Sequence, residues 1–304
     1  MNCGSLLVSV LGRLPWKTLD LPNFRDSAGE CLWYAISGRA KNSPKTYQLN
    51  WDTQGQLLVQ DIAGKLQHDT DPHTRPLAVV IAPGRPLSGQ ELRRTRSSEQ
   101  CADIGAPDEH LEGIDSRWYS STHTGDLVIT IGDNAKFNDR AVWLNATDIF
   151  DRIKRRKDFK ADIDTMMDDV AAYLEALPLD RLPVPSKTQK GVALLIDNYL
   201  KSNPTLAKQA LIHHWRDNLL YIAGPGQDSF VLDLDGQTRA CRALLFFAGE
   251  RTPWQRRSNP NEIEDWRMYL EGDNANTYPN QGKYVGTGAF HHENSSADVI
   301  RCIR

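Results

Sequence analysis

No stretch of this 304-residue chain approaches the ~20 consecutive apolar residues that a membrane-spanning helix requires. The cluster Leu6, Leu7, Val8, Val10 and Leu11 is too short, and Gly12, Arg13 and Pro15 close it. It also lacks the basic start and small-residue cleavage site of a secretory signal. A general basic field is missing too. The net charge is -3 and the pI about 6.2, so nucleic acid is not expected as a partner. The one basic run, Arg152 to Lys157, leads into an acid-rich helical pattern and reads as a solvated helix face. The five cysteines, Cys3, Cys31, Cys101, Cys241 and Cys302, have no C-x-x-C spacing, which argues against structural zinc. No G-x-S-x-G nucleophile elbow occurs.

What is present is an ordinary globular composition, 40% hydrophobic and 25% charged, which excludes wholesale disorder. From Glu30 to Leu144 the pattern is one of short strands and turns. Leu32 to Ile36 is apolar, Leu57 to Val59 follows a turn, and Leu77 to Ala82 stops at Pro83-Gly84 as a buried strand does. Leu127 to Ile131 alternates. Arg85 to Thr124 is polar and reads as a long surface loop. Helical spacing takes over at Ile149 and holds through Ile163, Met166, Val170, Leu174 and Leu177, and returns from Val192 to Leu211. Strand-like runs resume at Leu219 to Ile222, Phe230 to Leu234, Ala243 to Ala248 and Asp298 to Ile303. This divides the chain into a β-rich module at 1–146, a helical connector at 147–214 and a second β-rich module at 215–304. The fold class expected is α+β.

The two β-rich ends echo each other. Arg25-Asp26 and Leu32-Trp33-Tyr34 match Arg216-Asp217 and Leu219-Leu220-Tyr221. Val79 to Gly84 with Gln90 and Arg93-Arg94 match Leu245 to Gly249 with Gln255 and Arg256-Arg257. Leu111-Glu112-Gly113 matches Leu270-Glu271-Gly272, and the segment Phe137 to Val142 matches Phe290 to Val299. The separation shrinks steadily along the chain, so the second copy has the shorter loops. Each copy reads as an antiparallel meander that needs a cover on one face. The second has helices just before it. The first has none, and from this the expectation is that a preceding segment is missing from the sequence.

These residues carry a resemblance. Arg25-Asp26-Ser27-Ala28-Gly29-Glu30-Cys31-Leu32-Trp33-Tyr34 resembles the segment that follows the N-terminal helix in type IV pilin-like proteins and type II secretion pseudopilins. Gly12 to Leu19 resembles sequences behind that helix in pilin-like proteins of proteobacteria, as do the A-P-G, L-E-G and N-D-R segments in their order. The resemblance spans most of 11–150 and 215–303. It implies two pilin-like antiparallel sheet modules joined by a helical segment, and a non-enzymatic structural or assembly role in a pilus-like or secretion-like envelope system. Its partners would be other pilin-like or secretion-system subunits, at the periplasmic face of the inner membrane or the cell surface. Membrane attachment would run only through an N-terminal helix. The family's cleavage site and its apolar helix bearing a glutamate are absent from this sequence.

Asp233-Leu234-Asp235-Gly236 matches the opening of a calcium loop but lacks the closing glutamate, and reads as a hairpin. Adjacent histidines, His213-His214 and His291-His292, point in different directions and make poor metal pairs. Cys31 reads as a small buried thiol rather than a nucleophile, and Asp26, Asp139 and Arg140 as turn cap and ion pair rather than acid or base. No catalytic residue, metal site or cofactor is therefore expected. The pair Cys241 and Cys302 flanks strands expected to be neighbours and is assigned a disulfide. The alternatives are a soluble adhesin-like binding module using the Arg85–Thr124 loop and, further off, a hydrolase. The first sheet is expected to leave Val79, Ile81, Val128 and their neighbours exposed unless the helix around 160–177 covers them.

Overall fold

The protein is described from a computed structural model covering residues 5–43, 49–90, 101, 106–183, 192–207 and 210–304. Helices and several sheets share the chain, so the class is α+β. The chain divides into two units. One comprises residues 1–49 and 53–149; the other comprises 50–52 and 150–304. The division places the helices after residue 150 inside the second unit rather than in a separate connector, because they pack on its sheet.

In the first unit, β1 (Val10–Arg13), β2 (Trp33–Ile36), β4 (Ala78–Ala82) and β6 (Arg140–Leu144) form an antiparallel sheet in the order β1-β2-β4-β6. The intervening strands β3 (Leu57–Asp61) and β5 (Leu127–Ile131) pair with each other, and they do so in parallel. The chain thus alternates between two layers instead of running as the expected meander. Two-residue periodicity explains the packing. Trp33 and Ala35, Val79 and Ile81 turn one way and meet Leu57, Val59, Leu127 and Ile129, all buried. Leu111 and Trp118 close this core. The stretch between β4 and β5 is therefore not simply a surface loop. It carries two core anchors and is fastened at Cys101. Arg93-Arg94 and the rest of 91–100 and 102–105 lie outside the described residues.

The second unit repeats this plan. β7 (Leu219–Ala223), β10 (Ala243–Phe247) and β12 (Val299–Ile303) form an antiparallel sheet with β10 central, as β4 is central to β2 and β6. β8 (Phe230–Leu234) and β11 (Lys283–Gly286) pair in parallel, and β9 (Gln237–Cys241) extends that layer. The registers correspond: Tyr34, Val80 and Val142 lie abreast in the first sheet, and Tyr221, Leu245 and Arg301 in the second. The hydrogen bonds at the strand ends correspond as well. Ser37 N donates to Leu77 O at 2.8 Å, and Gly224 N to Arg242 O at 2.9 Å. Leu77 N donates to Leu144 O at 2.8 Å, and Arg242 N to Ile303 O at 2.9 Å. Glu112 N donates to Asp139 Oδ2 at 2.8 Å, and Glu271 N to Asp298 Oδ2 at 3.2 Å.

The second unit adds helices. α1 (Ala146–Ile153) leads into α2 (Lys157–Glu175), whose buried stripe Phe159, Ile163, Met166, Met167, Val170, Ala171 and Leu174 follows helical spacing and faces β10 and β12. α3 (Val192–Lys201) packs on β7 through residues that include Ile196 and Leu200. The basic run before α2 is partly neutralised locally. Lys154 meets Asp151 at 2.7 Å and Glu250 at 2.6 Å, and Arg156 pairs with Asp158.

Residues 50–52 belong to this second core. Trp51 is buried with its ring centroid 4.4 Å from that of Trp215 and 5.7 Å from that of Phe247, and it stacks on Phe290 at 6.2 Å. Asp52 Oδ2 lies 2.6 Å from Arg257 Nη1, and the Arg257 side chain is 1% exposed. Arg257 donates further to the carbonyls of Met268 and Gly249 and lies 4.3 Å over the Tyr269 ring, so its buried charge is well compensated.

Candidate interaction face

The first sheet has two unlike faces. The centre of the inner face is covered by β3 and β5, which corrects the expectation for Val79 and Ile81: both are wholly buried, and Val128 is half-buried. Apolar surface that is open at its edge strand and part-buried elsewhere lies on the opposite face. There Val10, Tyr34, Ile36, Ala78, Val80, Val142 and Leu144 fall in two rows set by the register. Val142 is 69% exposed and Leu144 50%. Strand β6 makes the point locally. Its sequence RAVWL is apolar on both faces after the first residue, a pattern for strands buried on both sides.

The corresponding face of the second sheet is covered. Tyr221, Ala243, Leu245, Phe247, Val299 and Ile303 are buried, with α2 on β10 and β12 and α3 on β7. Arg301, at the position of Val142, gives its guanidinium to Asp168 at 2.6 Å on α2 and to Gly288 O at 2.7 Å. The counterpart of Val142 is thus used to fasten a helix. In the first unit the described residues place no such helix on the sheet, and at ~25 cal/mol per Å² the exposed Val142 and Leu144 favour association.

Several groups hold the first unit's turns. Asp26 Oδ1 accepts from Ala28 N and Glu30 N, and its Oδ2 accepts from Gly84 N, all at 2.8 Å. Gly84 has φ +68°, and a Cβ there would sit 2.9 Å from the Asn138 side chain, so this turn requires glycine. Asp139 and Arg140 do not form the expected ion pair. Asp139 is buried and accepts from Glu112 N, while Arg140 pairs with Asp133 at 2.5 Å.

Two disulfides are present among the described residues. Cys241 and Cys302 are bridged with a Cα separation of 5.4 Å, joining the ends of β9 and β12. Cys31 is bridged to Cys101 across 5.6 Å. Cys31 is therefore half of a disulfide, which corrects its reading as a small buried thiol. Cys3 lies outside the described residues. No spacing signal pointed to Cys101 as the partner; only the fold brings the two together.

The remaining candidates resolve locally. Asp233 to Gly236 is the β8–β9 hairpin, with Asp235 at φ 51° and Gly236 at φ 83°, the turn that a two-residue Asp-Gly loop adopts. Asp233 pairs with Lys283 at 3.0 Å, and Asp235 Oδ2 accepts from Gly288 N at 3.3 Å. Among the described residues, no group of three or more His, Cys, Asp or Glu side chains is arranged to hold a metal ion, the histidine pairs included. No helix among the described residues is long and apolar enough to cross a membrane.

Sequence reasoning missed one place. Asp298 is buried behind the Glu271 turn, and burial pushes its carboxyl up to about 7, with the neighbouring Glu271 acting in the same direction. No family model matches the chain, and no curated protein or solved structure matches it either.

Proposed function

We propose that this chain is the twice-repeated head of a pilin-like envelope protein, with a structural or assembly role and no catalysis. The apolar outer face of the first sheet, open at Val142 and Leu144, carries the reading. An antiparallel sheet whose outer face is apolar and open at its edge strand takes a further layer, and its counterpart in the same chain has a helix in that place. Pilin-like proteins lay an apolar helix across such a sheet, and the resemblance of residues 25–34 to the segment that follows that helix points the same way. The covering helix would anchor the head at a membrane and join it to other pilin-like or secretion-system subunits. Two disulfides fit a head that works in an oxidising compartment such as the periplasm.

The test is to fuse an in-frame apolar helix of the pilin type ahead of residue 1 and compare the purified proteins. The fusion should melt higher and bind less of a dye that reports exposed apolar surface. Equal melting and equal dye binding would remove the physical support for the reading and favour a free-standing binding module.

A further inference from the structure

Strand β6 is the last strand on its side of the first sheet, with β4 as its strand neighbour. Hydrogen-bond phase fixes where its backbone points. Ser37 N donates to Leu77 O, so Ala78, Val80 and Ala82 turn to β6 and meet Leu144, Val142 and Arg140. Asp139, Ala141, Trp143 and Asn145 therefore direct their N–H and C=O groups the other way, off the sheet edge. Both ends of this row are used: Asp139 O accepts from Gly132 N at 3.0 Å, and Asn145 N donates to Asp148 Oδ2 at 3.0 Å. Among the described residues, nothing partners the backbone N–H and C=O groups of Ala141 and Trp143 between them.

Comparison of the two units sharpens the point. The registers set Asp298 in the place of Asp139 and Ile300 in the place of Ala141. In the second unit Thr287 lies along that edge, donating to Asp298 O and accepting from Ile300 N, both at 3.0 Å. In the first, Gly132 makes the first of these bonds and the chain then turns away, Asn134 N donating to Phe137 O at 2.8 Å. The edge that is closed in one unit is open in the other. Open edges in natural sheets are usually guarded by lysine or proline. β6 has neither, and its one charge, Arg140 at the strand end, is held by Asp133 at 2.5 Å. Val142, at its centre, is the most exposed large apolar residue among those described.

We propose that β6 pairs antiparallel with β6 of a second copy of this chain, about a two-fold axis at Val142. The free groups are self-complementary in that register. Ala141 N donates to the partner's Trp143 O, Ala141 O accepts from the partner's Trp143 N, and the symmetry repeats both bonds. Other registers waste them. An axis at Ala141 would aim Trp143 N at the partner's Asp139 O, which Gly132 already holds. An axis at Trp143 would set Ala141 O against the partner's Asn145 N, which Asp148 holds. With the axis at Val142, the two Val142 side chains meet on the outer face as a non-hydrogen-bonded pair, Cα atoms about 4.5 Å apart. The stem of Arg140 then lies beside the partner's Leu144. This pairing uses the strand edge, so it is independent of the layer proposed for the outer face.

The experiment has two parts, both on the full chain with its disulfides intact. Sedimentation equilibrium from about 1 to 500 µM should show a reversible monomer–dimer equilibrium. Val142→Lys sets like charges against each other at the axis and should weaken the dimer by about tenfold or more, with the melting temperature of the monomer unchanged. The second part reads the register. In a Cys3→Ser background, Val142→Cys should cross-link rapidly into a covalent dimer under mild oxidation. Leu144→Cys, also on an exposed site, should not, because the pairing holds the two copies of that position about 14 Å apart. A monomer across the whole concentration range overturns the proposal. So does cross-linking of Leu144→Cys as fast as Val142→Cys, which would mean association through the apolar face without strand pairing.

Discussion

Asp298→Asn should stabilise the protein at pH 8 and lose that advantage in acid. The Asp298 carboxyl is raised from 3.8 to about 7 by burial. An acid whose folded pKa is raised binds its proton more tightly in the native state than in the unfolded chain. Its contribution to stability is therefore complete below about pH 4, declines as the pH rises between about 4 and 7, and is gone above. A rise of about three units corresponds to about 4 kcal/mol between those limits. Asparagine keeps one oxygen to accept from Glu271 N and Asn274 Nδ2, and replaces the unpartnered Oδ1 with an amide that carries no charge. Urea denaturation of both proteins, with disulfides intact, measures the difference. At pH 8 the variant should be more stable by about 2–4 kcal/mol, and at pH 4.5 the two should agree within about 1 kcal/mol. Glu271 is present in both proteins, so the pH-dependent part of the difference belongs to Asp298 together with its coupling to Glu271. A variant less stable at pH 8, or a gap that does not change with pH, would refute the argument from burial.

Other changes have equally definite outcomes. Asp52→Ala strips the partner from a guanidinium that is 1% exposed and should cost about 3–5 kcal/mol in chemical denaturation. The double change Val142→Arg with Leu144→Arg should leave stability within about 0.5 kcal/mol per site, since both are exposed, while lowering binding of an apolar dye. Replacing Cys241 and Cys302 by serine should cost about 2–5 kcal/mol, read as a lower melting temperature.

Much of the fold was legible because strands and helices announce their periods. Ala78–Ala82 and Leu127–Ile131 alternate, and the 159–174 stripe is helical throughout. The order of paired segments, Gln90 with Gln255 and Leu111 with Leu270, gave the repeated plan. What the pattern did not convey was which strand pairs with which. Strands β3 and β5 look like members of a meander, yet they form their own parallel layer, because pairing depends on contacts between residues distant in sequence. That error turned the sheet over. A meander leaves Val79 and Ile81 on the open face, whereas the apolar stretch Ala141–Leu144 already carries the sign of a strand apolar on both sides. The Cys31–Cys101 bridge and the burial of Asp298 against the Glu271 turn were beyond reach for the same reason: each joins segments whose proximity only the folded chain creates.

Trp51 and Asp52 carry a consequence for how the protein is made. On a ribosome adding about 5–20 residues per second, these two leave the tunnel roughly 5–20 s before Phe150, and longer still before Trp215, Arg257 and Phe290. The second core thus waits for its last pieces while holding its first ones open, and its aromatic cluster cannot be completed until nearly the whole chain has been synthesised. A gene fragment beginning at residue 150 would encode that unit without its central tryptophan and with Arg257 stranded, whereas one beginning before residue 50 would encode both. Separating the units cleanly therefore requires transplanting residues 50–52, not merely choosing a cut site.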